Sequence, residues 1–94
     1  MAVVKTRCHR VIITDHAWQR WQERAGIKIK RDKLTKLLTA KLNTALAVGL
    51  KIDHTGAGWL MLDQWLWANV RVTDRGWVVT TFINWRNETM EWVV

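Results

Sequence analysis

The segment from Thr14 to Gly26 constrains the fold most, because it has the features of one complete amphipathic helix. Thr14 or Asp15 can cap the free N–H groups of the first turn, and Gly26 can adopt the left-handed conformation that ends a helix. At 3.6 residues per turn, one side of the helix carries Ala17, Trp18, Trp21 and Ala25. The sequence therefore predicts a helix that packs through its tryptophans and leaves its other face open.

Three side chains on that other face are suited to bind a phosphate. His16, Arg20 and Arg24 follow one another at intervals of four residues, so they form one stripe along the helix. An imidazole titrates near neutral pH, and a guanidinium can hold phosphate oxygens through two parallel hydrogen bonds. The same residues also have a structural interpretation. His16 can hydrogen-bond to the sheet, and the two arginines can form a solvated face paired with Glu23.

The charge of the chain favours an anionic partner. Its 94 residues include 15 Lys and Arg against 8 Asp and Glu, so the formal net charge is +7 and nucleic acid is the first candidate. We expect one domain, residues 1–94, in the cytoplasm and without membrane contact. A length of 94 residues suits one domain with a single modest core. The single cysteine, Cys8, indicates a reducing compartment, and the sequence has no signal peptide and no apolar run long enough to span a membrane. The three histidines and Cys8 match no metal-site spacing, so no metal or cofactor is predicted.

A second helix is predicted from Asp32, as its N-cap, to about Val48, with Gly49 as the stop. Its apolar positions are spaced as one buried stripe: Leu34, Leu37, Leu38, Leu42, Ala45 and Leu46. Lys41 lies inside that stripe. Its ammonium group is expected either to extend to solvent from the edge of the interface or to reach into a shared cleft.

Alternating periodicity replaces the helical pattern after Leu50 and predicts a sheet. The predicted strands are 10–13, 50–54, 59–62, 66–73, 77–85 and, at the sheet edge, 90–94. Two glycine-containing loops, 55–58 and 74–76, are predicted to join strands 50–54 and 59–62, and strands 66–73 and 77–85, as hairpins. Residues 1–10 are expected to be a loose basic end, and most of the eight tryptophans are expected in the core. The predicted fold class is α+β: two N-terminal helices packed on one face of a four- to five-stranded antiparallel sheet.

The pattern His16-x3-Arg20-x2-Glu23-Arg24-x-Gly26, the leucine-rich second helix and the strand 77–83 together resemble the small RelE-like proteins of phage and mobile elements. These belong to the barnase, EndoU, colicin and RelE group of ribonuclease folds. The resemblance covers roughly residues 12 to 85. It implies metal-independent RNA cleavage, a cytoplasmic toxin-like protein and an inhibitory protein partner. It also implies that Thr81 adds a hydroxyl from the sheet, with Thr80 as the alternative if the strand faces the other way.

Metal-free RNA cleavage needs a base for the 2′-OH, an acid for the leaving oxygen and cations for the phosphate. The candidate catalytic residues are His16, Arg20, Arg24 and Thr81. The candidate substrate-binding residues are Lys28, Lys30, Arg31, Lys41 and His54, of which Lys41 and His54 are also candidates for the second proton-transfer group.

Two other functions fit the same sequence. One is a non-catalytic nucleic-acid-binding module whose basic residues contact phosphates. The other is a protein-interaction or regulatory module of a phage or mobile element, with exposed tryptophans at its interface.

Overall fold

The computed structural model describes residues 2–84 and places two helices and six strands there. They are β1 (Ala2–Val4), β2 (Ile12–Ile13), α1 (Asp15–Arg24), α2 (Arg31–Val48), β3 (Leu50–Ile52), β4 (Ala57–Met61), β5 (Leu66–Thr73) and β6 (Gly76–Asn84). Four strands form one sheet in the order β2–β6–β5–β4, and β1 pairs with β3 in a separate ribbon. The α+β class is as predicted.

The four-stranded sheet is mixed, because β2 runs parallel to β6 with Ile12 opposite Val78. The prediction of an antiparallel sheet was wrong at this strand, and the placement of both helices at the N-terminus was wrong because β1 and β2 precede α1. The two parallel strands lie far apart in the chain, so no local turn signal reveals their pairing. The prediction that residues 1–10 form a loose basic end was also wrong in part, since β1 pairs antiparallel with β3. The predicted strand 90–94 lies outside the described residues.

The hairpin of β5 and β6 is confirmed, with its turn at Asp74 and Arg75 and with Thr73 paired to Gly76. The predicted pairing of the two strands around residues 55–58 was wrong, since β3 and β4 belong to different sheets. Their connection is still tight, because the Asp53 N–H donates to the Ala57 carbonyl at 2.9 Å. Gly58 permits this close approach: a Cβ there would lie 2.8 Å from the Lys51 carbonyl oxygen.

The helix α1 forms as its sequence pattern predicts. Thr14 is its N-cap, and the Thr14 hydroxyl accepts a hydrogen bond from the Ala17 N–H at 3.0 Å. Ala17 and Trp21 are buried, and the Trp21 ring meets the Phe82 ring edge-on with centroids 5.2 Å apart. This contact places α1 on the face of the sheet that carries Phe82.

The helix α2 packs into the same core through its fully buried leucines, which are Leu34, Leu38, Leu42 and Leu46. Leu37 is 44% exposed, so its placement in the buried stripe was wrong. Lys41 is exposed, which agrees with the expectation that its ammonium group extends to solvent rather than into a shared cleft. The stripe recurs at intervals of four residues, and Leu37 and Lys41 each lie one position before it, on the solvent side. Gly49 ends α2 at φ 117°, as expected of a residue without Cβ.

Fewer of the six tryptophans within residues 2–84 are buried than predicted. Trp21 and Trp77 are buried, Trp18 and Trp67 are half-buried, and Trp59 and Trp65 are 42% and 44% exposed. The core is supplied mainly by leucines and valines of α2 and the sheet, so several indoles remain at the surface.

We predict that Leu38→Ala lowers the free energy of unfolding by about 2–5 kcal/mol, because it removes a fully enclosed side chain and leaves a cavity. Leu37→Ala, one position earlier in the same helix, should change it by only about 0.5 kcal/mol. Urea denaturation of the two variants measures the difference. Equal destabilisation would contradict the assigned orientation of α2.

Candidate nucleic-acid interface

Arg24 holds the end of α1 against the sheet. Its Nη1 donates to the Phe82 carbonyl at 2.7 Å, and its own carbonyl accepts from the Asn84 Nδ2 at 3.1 Å. The side chain of the predicted phosphate ligand is therefore bound to the backbone of β6, where it satisfies a carbonyl along the edge that β2 leaves open.

The other two members of the stripe are nearer to solvent. Arg20 Nη1 donates to Glu23 Oε2 at 2.8 Å, which is the ion pair that the structural interpretation expects. His16 is exposed and has no hydrogen bond or ion pair to any residue within 2–84. Of the three stripe residues, His16 is thus the one whose side chain is not engaged in the described structure.

A β-bulge places the side chains of Thr80 and Thr81 on the same face of the sheet. Thr81 is opposite Asn69 while Val79 is opposite Val70, so β6 holds one extra residue at this point. The Thr80 hydroxyl donates to Asn69 Oδ1 at 2.7 Å, and Thr81 lies opposite Asn69 on the same face. The alternatives Thr80 and Thr81 are therefore not exclusive, since both side chains lie on the sheet face turned away from the helices.

The basic connector between the helices divides into two parts. Lys28 and Lys30 are exposed. Arg31 pairs with Asp15 Oδ1 at 2.9 Å and also donates to the Ile13 carbonyl. Lys28 and Lys30 can therefore contact a ligand, whereas Arg31 fastens the start of α2 to the end of β2.

Lys41 and His54 lie elsewhere. Lys41 is on the solvent side of α2, and His54 is in the β3–β4 turn, at the sheet edge formed by β4. Helix α1 lies along β6, two strands away, so the structure does not bring His54 to His16. In that turn the Thr55 hydroxyl and then the Ala57 and Thr55 N–H groups lower the pKa of Asp53 to about 2.

A cationic groove that the sequence pattern did not reveal lies between residues 7–10 and α2. It has a volume of about 590 Å³ and is lined by Arg7, Cys8, His9, Arg10, Thr35, Lys36, Thr39, Ala40 and Asn43. No carboxylate is among these lining residues, all of which the structure describes. The positive charge of Arg7, Arg10 and Lys36 is therefore not neutralised by any residue that lines the groove.

Two side chains of α2 hold the extended wall of the groove in place. Asn43 accepts from the Cys8 N–H at 2.7 Å through Oδ1 and donates to the Cys8 carbonyl at 2.8 Å through Nδ2. Thr39 accepts from the Val11 N–H at 3.1 Å. With Cys8 and Val11 turned into the core, Arg7, His9 and Arg10 are held at the surface.

The charges around the groove are weakly compensated. Arg10 approaches Asp32 at 3.9 Å, but both side chains are largely exposed, so this pair contributes little. Arg7 and Lys36 form no ion pair within the described part of the chain. Burial raises the pKa of the Cys8 thiol, and a smaller effect of the Arg10 backbone hydrogen bond lowers that pKa. Because the net shift is upward, Cys8 is not an activated nucleophile.

The basic character of residues 5–10 is visible in the sequence, but the groove is not. It depends on the two bonds from Asn43, which is 35 residues away from Cys8. The one local signal is that Cys8 and Val11 are apolar positions within the basic segment, which is typical of a segment that packs against another element.

Comparisons with protein-family models, with curated proteins and with solved structures find no match to this chain. Within residues 2–84, no helix is long and apolar enough to cross a membrane. The same residues contain no group of three or more His, Cys, Asp or Glu side chains that could hold a metal ion.

We predict that Asn43→Ala releases the groove wall, because the Cys8 N–H and carbonyl lose both partners. The free energy of unfolding should fall by about 1–3 kcal/mol, and a thiol reagent should modify Cys8 faster than in the wild type. Thr44→Ala, at the neighbouring exposed position, is the matched control. Cys8 modification at the same rate in both variants would contradict the role of Asn43.

Proposed function

We propose that this protein binds RNA through the cationic groove between residues 7–10 and α2. The observation that supports this most directly is the lining, in which Arg7, Arg10, Lys36 and His9 surround a concavity of about 590 Å³ without a carboxylate among its lining residues. Cations around a concave surface attract a phosphate backbone and hold it by neutralising its charges. The exposed Lys28 and Lys30 add positive charge beside α1.

The choice of RNA over DNA follows the resemblance to RelE-like proteins. A RelE-like architecture is part of the proposal and is supported by the two successive helices followed by the β4–β5–β6 meander. A cytoplasmic location is supported by Cys8, a buried free thiol. An inhibitory protein partner is the corresponding expectation for a toxin-like protein of this kind.

We predict that Arg7→Ala combined with Lys36→Ala weakens binding to single-stranded RNA and makes it less sensitive to salt. The slope of log affinity against log salt should decrease by about 0.7 for each phosphate that the variant no longer neutralises. Fluorescence anisotropy of labelled RNA over a series of salt concentrations, in EDTA, measures both quantities.

The control removes the same charge from another surface. Arg71→Ala combined with Arg75→Ala changes exposed residues of β5 and of the β5–β6 turn, outside the groove. It should retain most of the affinity and the salt slope. If both double variants bind RNA equally well, the groove is not the binding site; if the wild type binds no RNA, the proposed function is wrong.

Metal-independent RNA cleavage is the second candidate function. It is favoured by His16, an exposed imidazole without a partner among the described residues. The bulge places Thr80 and Thr81 on the sheet face turned away from α1, so neither hydroxyl is brought to His16. Against it stand Arg20 and Arg24, the predicted phosphate ligands, which bind Glu23 and the Phe82 carbonyl. The geometry therefore supports binding better than catalysis.

If the protein cleaves RNA, cleavage in EDTA should leave 2′,3′-cyclic phosphate ends, and His16→Ala should lower the rate by about 100-fold or more. Gln19→Ala, also at an exposed position of α1, should leave the rate unchanged. Analysis of the product ends of a labelled RNA measures this. RNA that is bound but stays intact would rule out the enzyme and leave the binding function.

A further inference from the structure

A second pocket lies between α1 and the connector that follows it. It has a volume of about 300 Å³ and is lined by Trp18, Trp21, Gln22, Gly26, Ile27, Lys28 and Ile29. This volume is at the lower end of the roughly 300–1,000 Å³ that small-molecule pockets occupy. It does not overlap with the lining of the cationic groove.

Trp21, one of the lining residues, carries a buried hydrogen-bond donor without a partner in the described structure. Trp21 is 3% exposed, and its Nε1 has no hydrogen-bond partner among the described residues. A buried indole N–H usually finds an acceptor, so an unsatisfied donor in a residue beside the pocket favours a ligand that carries acceptor groups.

The remaining lining residues combine an aromatic surface with polar and cationic groups. Trp18 is half-buried, Gln22 is exposed and offers both a donor and an acceptor, and Lys28 is exposed within the connector between α1 and α2. An aromatic surface, a hydrogen-bonding amide and a cation beside one small cavity are the groups that bind a base and its phosphate.

We propose that this pocket binds one unpaired nucleobase of a single-stranded RNA. The base stacks on the Trp18 indole, and Lys28 contacts the adjacent phosphate. Gln22 hydrogen-bonds to the edge of the base. This inference rests on the proposed RNA binding and adds to it a class of substrate: RNA with an unstacked base, rather than a continuous duplex.

The test compares a short single-stranded RNA with the same RNA carrying abasic sites, which keep every phosphate but offer no ring. Wild-type protein should bind the abasic RNA about 5-fold or more weakly, the size expected for one stacked base. Trp18→Leu should bind both RNAs with the same lower affinity. Anisotropy at a fixed low salt concentration measures the four dissociation constants.

Gln22→Ala keeps the inference testable if Trp18→Leu does not fold, because Gln22 is exposed. It should reduce the preference for the intact RNA, whereas Gln19→Ala on the same helix should preserve it. Equal affinity of the wild type for both RNAs would show that the pocket does not bind a base, and the proposed RNA binding would be unaffected. If both Trp18→Leu and Gln22→Ala keep the preference for intact over abasic RNA, the base binds at another site and the inference is wrong. No binding of either RNA would overturn the proposed function together with the pocket.

Discussion

The junction at Thr14 sets the position of everything around it. Its N–H and its hydroxyl both lie 3.3 Å from the Val79 carbonyl, while the same hydroxyl accepts from the Ala17 N–H. One residue thus ends the two-residue strand β2, ties it to β6 and caps α1. At the other end of α1, the bonds of Arg24 with Phe82 and Asn84 fasten the helix to the same strand. Held at both ends, α1 lies along β6 and closes the core over Phe82.

The cations in the described part of the chain include two distinct sets. Arg24 and Arg31 donate to backbone carbonyls of the strands, and Arg20 pairs with Glu23, so these guanidiniums contribute to holding the fold together. Arg7 and Lys36, by contrast, line a groove with no acidic residue among its lining residues. A charge in a concave, uncompensated surface contributes more to an electrostatic field than a charge already paired. Arg20 and Arg24 of the helix stripe are therefore engaged within the fold, whereas Arg7 and Lys36 of the groove form no ion pair among the described residues.

Local patterns predicted the parts of the fold that depend on neighbouring residues. The cap at Thr14, the stop at Gly49 and the β5–β6 turn all use chemistry within a few positions of the chain. The parallel pairing of β2, the pairing of β1 and the groove each depend on distant partners, such as Asn43 for Cys8. The sequence pattern predicted Arg24 as an open phosphate ligand and did not reveal its contact with the Phe82 carbonyl, because Phe82 lies 58 residues away in the chain.

Titration of ¹⁵N-labelled protein with a short single-stranded RNA, followed by two-dimensional NMR, tests the central claim that the cationic groove binds the phosphate backbone. The claim predicts that the largest shift changes fall on the backbone amides of residues 7–10 and of α2 from Thr35 to Asn43, and that they weaken as salt is raised. Shift changes confined to the β5–β6 hairpin, or none at all at saturating RNA, would contradict it.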